Sequence, residues 1–279
     1  MDKPMERLRL VSSPQNSLVK ELRQAFTRGQ TKADGYLATE GFHIIEEALR
    51  SGLRPKAVFF SQSARSRAER LLPQLGAKVE ILVLPNRVFA SAVNSEHPQG
   101  VAALIKLKSY SLEEVTLGRD GLTMVCAGLQ DPGNLGTIIR SAEAFGARGV
   151  LLTEGTVSAF NPKVVRAASG SLFRLPVLKL DAKDAIERLR AAGARLVATS
   201  AHGGKPLPEA DLSGKLAVFI GSEGAGLDRE LTKQMDEVIT VPHAANVESL
   251  NAAMAASVVL YEAARQRSSL TAEARRRGE

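Results

Sequence analysis

The sequence predicts an α/β protein built as two domains, a small α/β layer followed by a larger parallel-sheet domain. From residue 121 onward, short apolar runs alternate with helical patterns. Some of those runs, such as Leu216-Ala-Val-Phe-Ile-Gly221, are apolar without polar alternation, as strands buried on both faces of a parallel sheet are. Between the two halves lies a polar stretch, 108–120, that runs into Gly121 and reads as a linker.

Each element follows from its local pattern. In residues 1–107 the spacing predicts a helix at Ser17–Thr27, a strand at Tyr36–Thr39, a helix at Phe42–Ser51, a strand at Ala57–Phe60 and a helix at Ala64–Gln74. Val79–Leu84, closed by Pro85, and Gln99–Lys106 complete that half as strands. Residues 121–267 read as strand Leu122–Leu129, helix Gly136–Phe145, strand Gly149–Thr153, helix Pro162–Ser169, strand Leu175–Val177 and helix Ala182–Ala192. The pattern continues with strands Arg195–Thr199 and Leu216–Ile220, helix Asp228–Gln234, strand Glu237–Val241 and helix Val247–Gln266. Residues 268–279, with "ARRRGE", read as a basic, frayed tail.

Composition narrows the function classes. The 279 residues are 44% hydrophobic, as in globular chains, and no run reaches the roughly 18 apolar residues of a membrane span. With no apolar signal segment after Met1, a cytoplasmic protein is expected. A single cysteine, Cys126, lies in an apolar run and reads as an inert buried thiol. The four histidines show no pairing with metal-ligand spacing, so no metal is expected. The net charge is +7, and residues 1–106 hold sixteen Lys/Arg against ten Asp/Glu. The basic surplus therefore sits in the first domain, which suggests that this half grips a polyanion while the second carries chemistry.

Three loops of the second domain follow apolar strands and precede helices, the placement that gathers ligand-binding loops at the carboxyl edge of an open α/β sheet. The first, "GLQDPGNLGTIIRSAEAFG" (128–146), has Asn134 in position to cap the helix that carries Arg140. The second, "FIGSEGAGLDREL" (219–231), surrounds Ser222 and Glu223 with glycines that permit close backbone approach to a ligand. It lacks both the dinucleotide G-x-G-x-x-G spacing and a P-loop G-K-[ST], which speaks against nicotinamide and NTP chemistry. A backbone-lined pocket for a neutral or cationic nucleoside cofactor fits it better. The third, "VPHAANVESLNAAMAASVVLYEAAR" (241–265), crowds Asn246, Glu248, Ser249 and Asn251 at the start of an apolar helix. Asn246 is a candidate cap, and Ser249 and Asn251, about 200° apart around a helix, cannot share one face, so one should turn into a site.

Together the three loops resemble the motifs of the SpoU (TrmH-like) family of SPOUT-class RNA 2′-O-ribose methyltransferases. The residues that carry the resemblance are Asn134-x-Gly136-x-x-x-Arg140, then Gly221-x-Glu223-x-x-Gly226-Leu227, then Val241-Pro242 through Ser249-Leu250-Asn251. Each motif is weak alone, but three in order over 121–267 are specific. Residues 1–107, with "SPQNSLVKELR" and "LATEGFHIIEEAL", more loosely resemble an L30e-like substrate-binding domain. The resemblance implies a deep C-terminal trefoil knot, a homodimer, S-adenosylmethionine as cofactor and structured RNA, 23S rRNA before tRNA, as substrate. It implies Thr199, Gly221, Val241 and Leu250 as cofactor contacts, and Asn134, Arg140, Glu223, Ser249 and Asn251 as catalytic-site residues. Because guanidinium stays protonated, phosphate binding and orientation suit Arg140 better than a base role. Many members have Met after the third motif's proline; here it is His243. A non-catalytic RNA-binding protein of the same fold is the competing reading.

Overall fold

The computed structural model describes residues 7–277 apart from 31–34, 94, 96 and 117–120; side chains of Glu69 and of 269–277 are likewise not described. Two compact units result: Met1–Ser109 together with Phe160–Phe173, and Tyr110–Ala159 together with Arg174–Glu279.

The first unit holds a five-stranded mixed sheet of β1 (Arg9–Leu10), β2 (Leu37–Glu40), β3 (Pro55–Ser61), β4 (Glu80–Leu84) and β5 (Val101–Ile105), in the order β1-β4-β3-β5-β2. Strands β1 and β3 run parallel to β4, while β5 is antiparallel to both β3 and β2. Helix α1 (Ser17–Arg28) starts where the Asn16 side chain accepts from the backbone N–H of Leu18 and Val19. It buries Val19, Leu22, Ala25 and Phe26 against Phe59, Leu82 and Leu104 of the sheet and Phe89 of α3 (Asn86–Val93). Helix α2 (Phe42–Arg50) packs on the other face, where its Phe42 meets Phe60, which alternates with Phe59 along β3.

Two local expectations change here. The chain expected as helix at Ala64–Gln74 forms 3-10 turns, Gln62–Arg70 and Leu72–Gln74, because Pro73 has no N–H to continue an α-helical ladder. Helix α3 was absent from the sequence reading, although Phe89, Ala92 and Val93 carry helical spacing after Pro85.

Within this unit Glu40 ends β2 almost fully buried, accepting the Gln99 backbone N–H at 2.6 Å, with Arg166 of α6 (Pro162–Ala167) 3.9 Å away. Burial is the largest influence and raises its pKa, against the lowering effects of Gln99, Arg166 and Ser95. A raised carboxyl binds its proton more tightly folded than unfolded. Its stabilising contribution is thus complete below the ordinary carboxylate range and fades as pH rises through the folded value. Denaturant titrations from pH 4 to 8 should show Glu40→Gln gaining on the wild type as pH increases; a constant difference would refute this.

The second unit holds a seven-stranded, all-parallel sheet. Its strands are β6 (Leu122–Cys126), β7 (Gly149–Leu152), β8 (Val177–Lys179), β9 (Arg195–Ser200), β10 (Lys205–Pro206), β11 (Leu216–Ile220) and β12 (Glu237–Thr240), ordered β10-β12-β9-β11-β6-β7-β8. Strand β11, late in the chain, therefore lies between β9 and β6. Helices α4 (Leu112–Thr116) and α7 (Ala182–Ala191) cover one face through Val115, Ala185, Ile186 and Leu189, which meet Val125, Leu151, Ala217 and Phe219. Period-2 geometry turns Met124, Cys126, Val150, Val218 and Ile220 the other way. Cys126 is fully buried, and burial pushes its thiol up to about 12.

Helix α5 (Pro132–Ala144) packs on α9 (Ala252–Arg277). Ala253 and Ala256 of α9 are buried, and the hydroxyls of Ser141 and Ser257 meet at 2.7 Å across the pair. Two expectations about α9 are corrected. It starts at Ala252 rather than Val247, and the Asn251 side chain, not Asn246, caps it by accepting from Ala253 and Met254 N–H at 3.0 and 3.2 Å. Residues expected to fray continue the helix to Arg277; 278–279 and the tail side chains from 269 lie outside the described residues. The 117–120 part of the expected linker also lies outside them, and its described neighbours form α4.

Candidate active site

At the start of α5 two residues could cap, Asp131 and Asn134. Asp131 does so, accepting the Asn134 backbone N–H at 2.7 Å, with Pro132 at the first helical position where its missing N–H costs nothing. The expectation that Asn134 caps is thus corrected, and its amide is free for other partners. Asn134 Nδ2 donates to Glu223 Oε1, and Asn134 Oδ1 accepts from Asn251 Nδ2 at 3.0 Å. Because Asn251 Oδ1 is already committed to the N–H groups of α9, its Nδ2 must face Asn134, which in turn points the Asn134 Nδ2 at the carboxylate. The positive end of a helix is linked in this way, through two amides, to one anionic group.

Glu223 is placed by an unusually tight loop. Ser222 and Gly226 exchange backbone hydrogen bonds at 3.1 and 2.9 Å, which Gly226 permits by adopting φ +66°. The turn closes directly on Gly221: a Cβ there would land on the Gly226 carbonyl and the Leu227 nitrogen. Only glycine fits where one stretch of backbone crosses another so closely. Helix α8 (Arg229–Thr232) follows, capped by Asp228.

The loop forms one wall of a cleft of about 800 Å³ at the carboxyl ends of β9, β11 and β12. Thr199, Gly221, Glu223, Val241, Ser249 and Leu250 all line it. Thr199 is held by donating its hydroxyl to the Phe219 carbonyl at 3.0 Å, and His243 Nδ1 lies 2.8 Å from the Val241 carbonyl. The lining includes the carboxylates of Glu223 and Glu248 and the imidazoles of His202 and His243 and, among the described residues, no lysine or arginine. Such walls repel phosphate and accommodate a neutral or cationic ligand, and the volume lies in the range of small-molecule sites.

The candidate residues therefore divide three ways. All four expected cofactor contacts, with Glu223 and Ser249, share the cleft, and Asn134 and Asn251 stand at its edge through their link to Glu223. Ser249 and Asn251 do not sit on opposite sides of one helix as expected: Ser249 lies in the loop and Asn251 at the cap. Arg140 belongs to neither group. It is exposed on α5 and, among the described residues, has no hydrogen bond or ion pair. Glu248 and His202 were not singled out as cleft residues by the sequence reading. Glu248 belongs to the crowded polar start of the third loop, but its place in the cleft, like that of His202, follows from which loops the sheet order brings together.

Residues 121–261 match the model of the SpoU rRNA Methylase family, and residues 16–103 match an MRM3-like substrate binding domain. The 23S rRNA (guanosine(2553)-2′-O)-methyltransferase RlmP of Bacillus subtilis is 32% identical over 254 residues, covering 91% of this chain and 98% of its own. The 23S rRNA (uridine(2479)-2′-O)-methyltransferase of Streptomyces viridochromogenes is 32% identical, covering 85% of each chain. Among solved structures, the SpoU methyltransferase AviRb from Streptomyces viridochromogenes in complex with the cofactor AdoMet superposes with a TM-score of 0.79 at 29% identity, over 91% of this chain and 98% of that one. The AdoMet-bound rRNA methyltransferase from Sinorhizobium meliloti gives 0.81 at 29% identity, over 93% and 98%.

Proposed function

Since this chain belongs to the SpoU rRNA methylase family, we propose that it transfers a methyl group from S-adenosylmethionine to a ribose 2′-hydroxyl of structured RNA, with 23S rRNA as the favoured substrate. The observation that carries this reading is the Glu223–Asn134–Asn251 constellation at the edge of a cleft that, among the described residues, has no lysine or arginine in its walls. S-adenosylmethionine, when bound, supplies an electrophilic methyl on a positively charged sulfur. The walls fit such a group: Gly221, Val241 and Leu250 border the space, and Glu223 and Glu248 give it a negative sign.

This chain's own residues must then place a poor nucleophile. Arg140, unpaired among the described residues and one to two turns beyond Asn134 on α5, is available to bind an RNA phosphate as a fixed cation. Asn134 and Asn251, oriented by the α9 N-terminus, offer a rigid polar edge to the ribose, and Ser249 adds a hydroxyl in the cleft. Glu223 holds the glycine loop to Asn134. Positioning of this kind accounts for much of the rate in bimolecular transfers. The basic first unit would supply the sequence-independent grip on RNA.

The test is transfer of labelled methyl from S-adenosylmethionine to rRNA and, separately, to tRNA, followed by mapping of 2′-O-methyl positions. Incorporation into rRNA at a ribose is expected. Labelling of tRNA alone would replace the favoured substrate, and labelling of neither would refute the activity.

The reading extends to assembly. Met254, Val258 and Tyr261 are exposed on α9 at i, i+4, i+7, and Tyr261 packs edge-on against Phe145. We propose that this stripe is the homodimer face. Sedimentation should find the wild type at twice the monomer mass and Met254→Glu/Tyr261→Glu at monomer mass; identical masses would exclude this face. A trefoil knot is consistent with β11 lying between β6 and β9 and with α9 returning to residues 210–214, where Gln266 and Arg267 bond Ala210, Leu212 and Gly214.

A further inference from the structure

Residues 160–173 follow β7 inside the span that matches the methylase family, yet they pack with the first unit. Two close contacts seat the segment there. A Cβ on Gly29, at the end of α1, would lie 3.1 Å from the Phe160 carbonyl oxygen, and one on Gly170, at φ +94°, would lie 2.8 Å from Glu47 Cβ on α2. The excursion brings α6 to the start of α2, where Arg166 lies 3.9 Å from Glu40. The three loop motifs do not account for it, and the match to a substrate binding domain, residues 16–103, does not include it.

The 3-10 turn Gln62–Arg70 flanks α2 on its other side. Arg70 Nε lies 3.0 Å from Glu46, and the Arg67 guanidinium sits over the Phe42 ring, 4.1 Å from its centroid. At about 100° per residue, the exposed His43 and Arg50 fall between Glu46, which meets the turn, and Glu47, which meets Gly170. One surface therefore runs from Arg67 and Arg70 across Arg50, paired with Glu47 at 2.7 Å, to Arg166. Its charges are layered. The Glu40 and Glu46 side chains are 2% and 9% exposed, whereas those of Arg166, Arg70 and Arg50 are 59%, 73% and 64% exposed. Positive charge thus faces outward over buried negative charge. Each pair occupies part of a five-donor guanidinium, so donors remain for an outer anion while the inner carboxylate fixes the head. Arg65 and Lys163, exposed one on each flank, have no hydrogen bond or ion pair from their side chains among the described residues.

We propose that this face, α2 with the 3-10 turn and the α6 segment contributed by the methylase region, binds the phosphate backbone of the RNA substrate. The identity of the polyanion rests on the methyltransferase reading. Guanidiniums anchored by buried carboxylates are in place before RNA arrives, so little side-chain freedom is lost on binding. Their planar forks match phosphate oxygens. They spread over two turns of α2, roughly 10 Å, and over both flanks, enough to meet several phosphates of one duplex. Such contacts fix register and orientation and read no base. Composition assigned the grip on RNA to residues 1–106; Lys163 and Arg166 extend it into the methylase region.

The test reads RNA binding apart from catalysis. Fluorescence anisotropy with transcribed 23S rRNA, over a range of KCl concentrations, would compare the full chain with Arg65→Glu, Arg67→Ala, Lys163→Glu and Arg166→Ala. Arg65→Glu and Lys163→Glu break no described contact, so their fold should persist, which thermal unfolding checks. Lys20→Glu is the control, exposed on α1 against the opposite face of the sheet. Each variant of the face should flatten the salt dependence by about one in log–log slope and weaken binding roughly fivefold at physiological salt, the share of one phosphate contact. On rRNA, KM should rise in step while kcat and the calorimetric affinity for S-adenosylmethionine stay unchanged. An equal loss in Lys20→Glu would assign the effect to net charge and overturn the proposal. So would unchanged slopes, or an effect confined to the turn and absent at Lys163 and Arg166. Binding of rRNA that depends on these residues, in a protein that transfers no methyl group, would fault the activity and leave the surface standing; methyl transfer indifferent to them would do the reverse.

Discussion

Arg140→Ala is expected to reduce methyl transfer by about a hundredfold or more, the loss that accompanies misplacement of a reacting group, while the protein unfolds at nearly the wild-type temperature. Its side chain is exposed and, among the described residues, unpaired, so its removal breaks no native contact. Such surface changes usually stay within about 0.5 kcal/mol. Residues neighbouring it on α5, Ile138, Ile139 and Ala142, are buried and hold the helix in place without it. Arg140→Lys should recover part of the activity, because it keeps the charge and loses the planar fork. Steady-state kinetics on rRNA with calorimetric unfolding would check both halves. Full activity in Arg140→Ala would remove this residue from the site, and a large drop in unfolding temperature would reassign it to the fold.

Gly221→Ala is expected to abolish cofactor binding and to destabilise the second unit. The added Cβ would occupy the position of the Gly226 carbonyl, which is backbone and cannot swing aside as a side-chain end could. Relief requires opening the Ser222–Gly226 pair, which carries Glu223 away from Asn134 and reshapes the cleft. Overpacking of this sort costs about 1–3 kcal/mol, or more when backbone must move. Gly224→Ala is the matched control, since a Cβ at Gly224 meets nothing within 4 Å and its φ is not in the left-handed region. Calorimetric titration with S-adenosylmethionine and thermal unfolding should separate the two variants clearly. Wild-type binding by Gly221→Ala would mean that the loop is more yielding than this packing implies.

These two residues illustrate how unevenly the site was legible. Gly221 stood out because three glycines around a Ser-Glu pair after an apolar strand signal close backbone approach. Its reason, a crossing with Gly226, needs the folded loop. Arg140 was conspicuous as a charge in an apolar helix, and the structure adds that it stands apart from the cleft. Helix α1 and strand β11 lie within a residue of expectation, because both are fixed by short-range geometry and apolar spacing. The start of α9 was misjudged by five residues, since Asn246, Ser249 and Asn251 can all cap and only packing chooses.

Read alone, the sequence determined the α/β class, the parallel sheet, the placement of three loops beyond strand ends and the basic character of the first half. All of these depend on residue spacing and composition over a few turns or strands. Tertiary structure alone decided that Asp131 caps α5 while Asn134 reaches Glu223 and Asn251, which are 89 and 117 positions away. It also decided that β11 separates β9 from β6, and that the glycine loop borders the cleft. The physical reason is the same in each case: a hydrogen-bonding side chain has several partners of nearly equal worth, and the order of strands in the sheet determines which of them comes within reach.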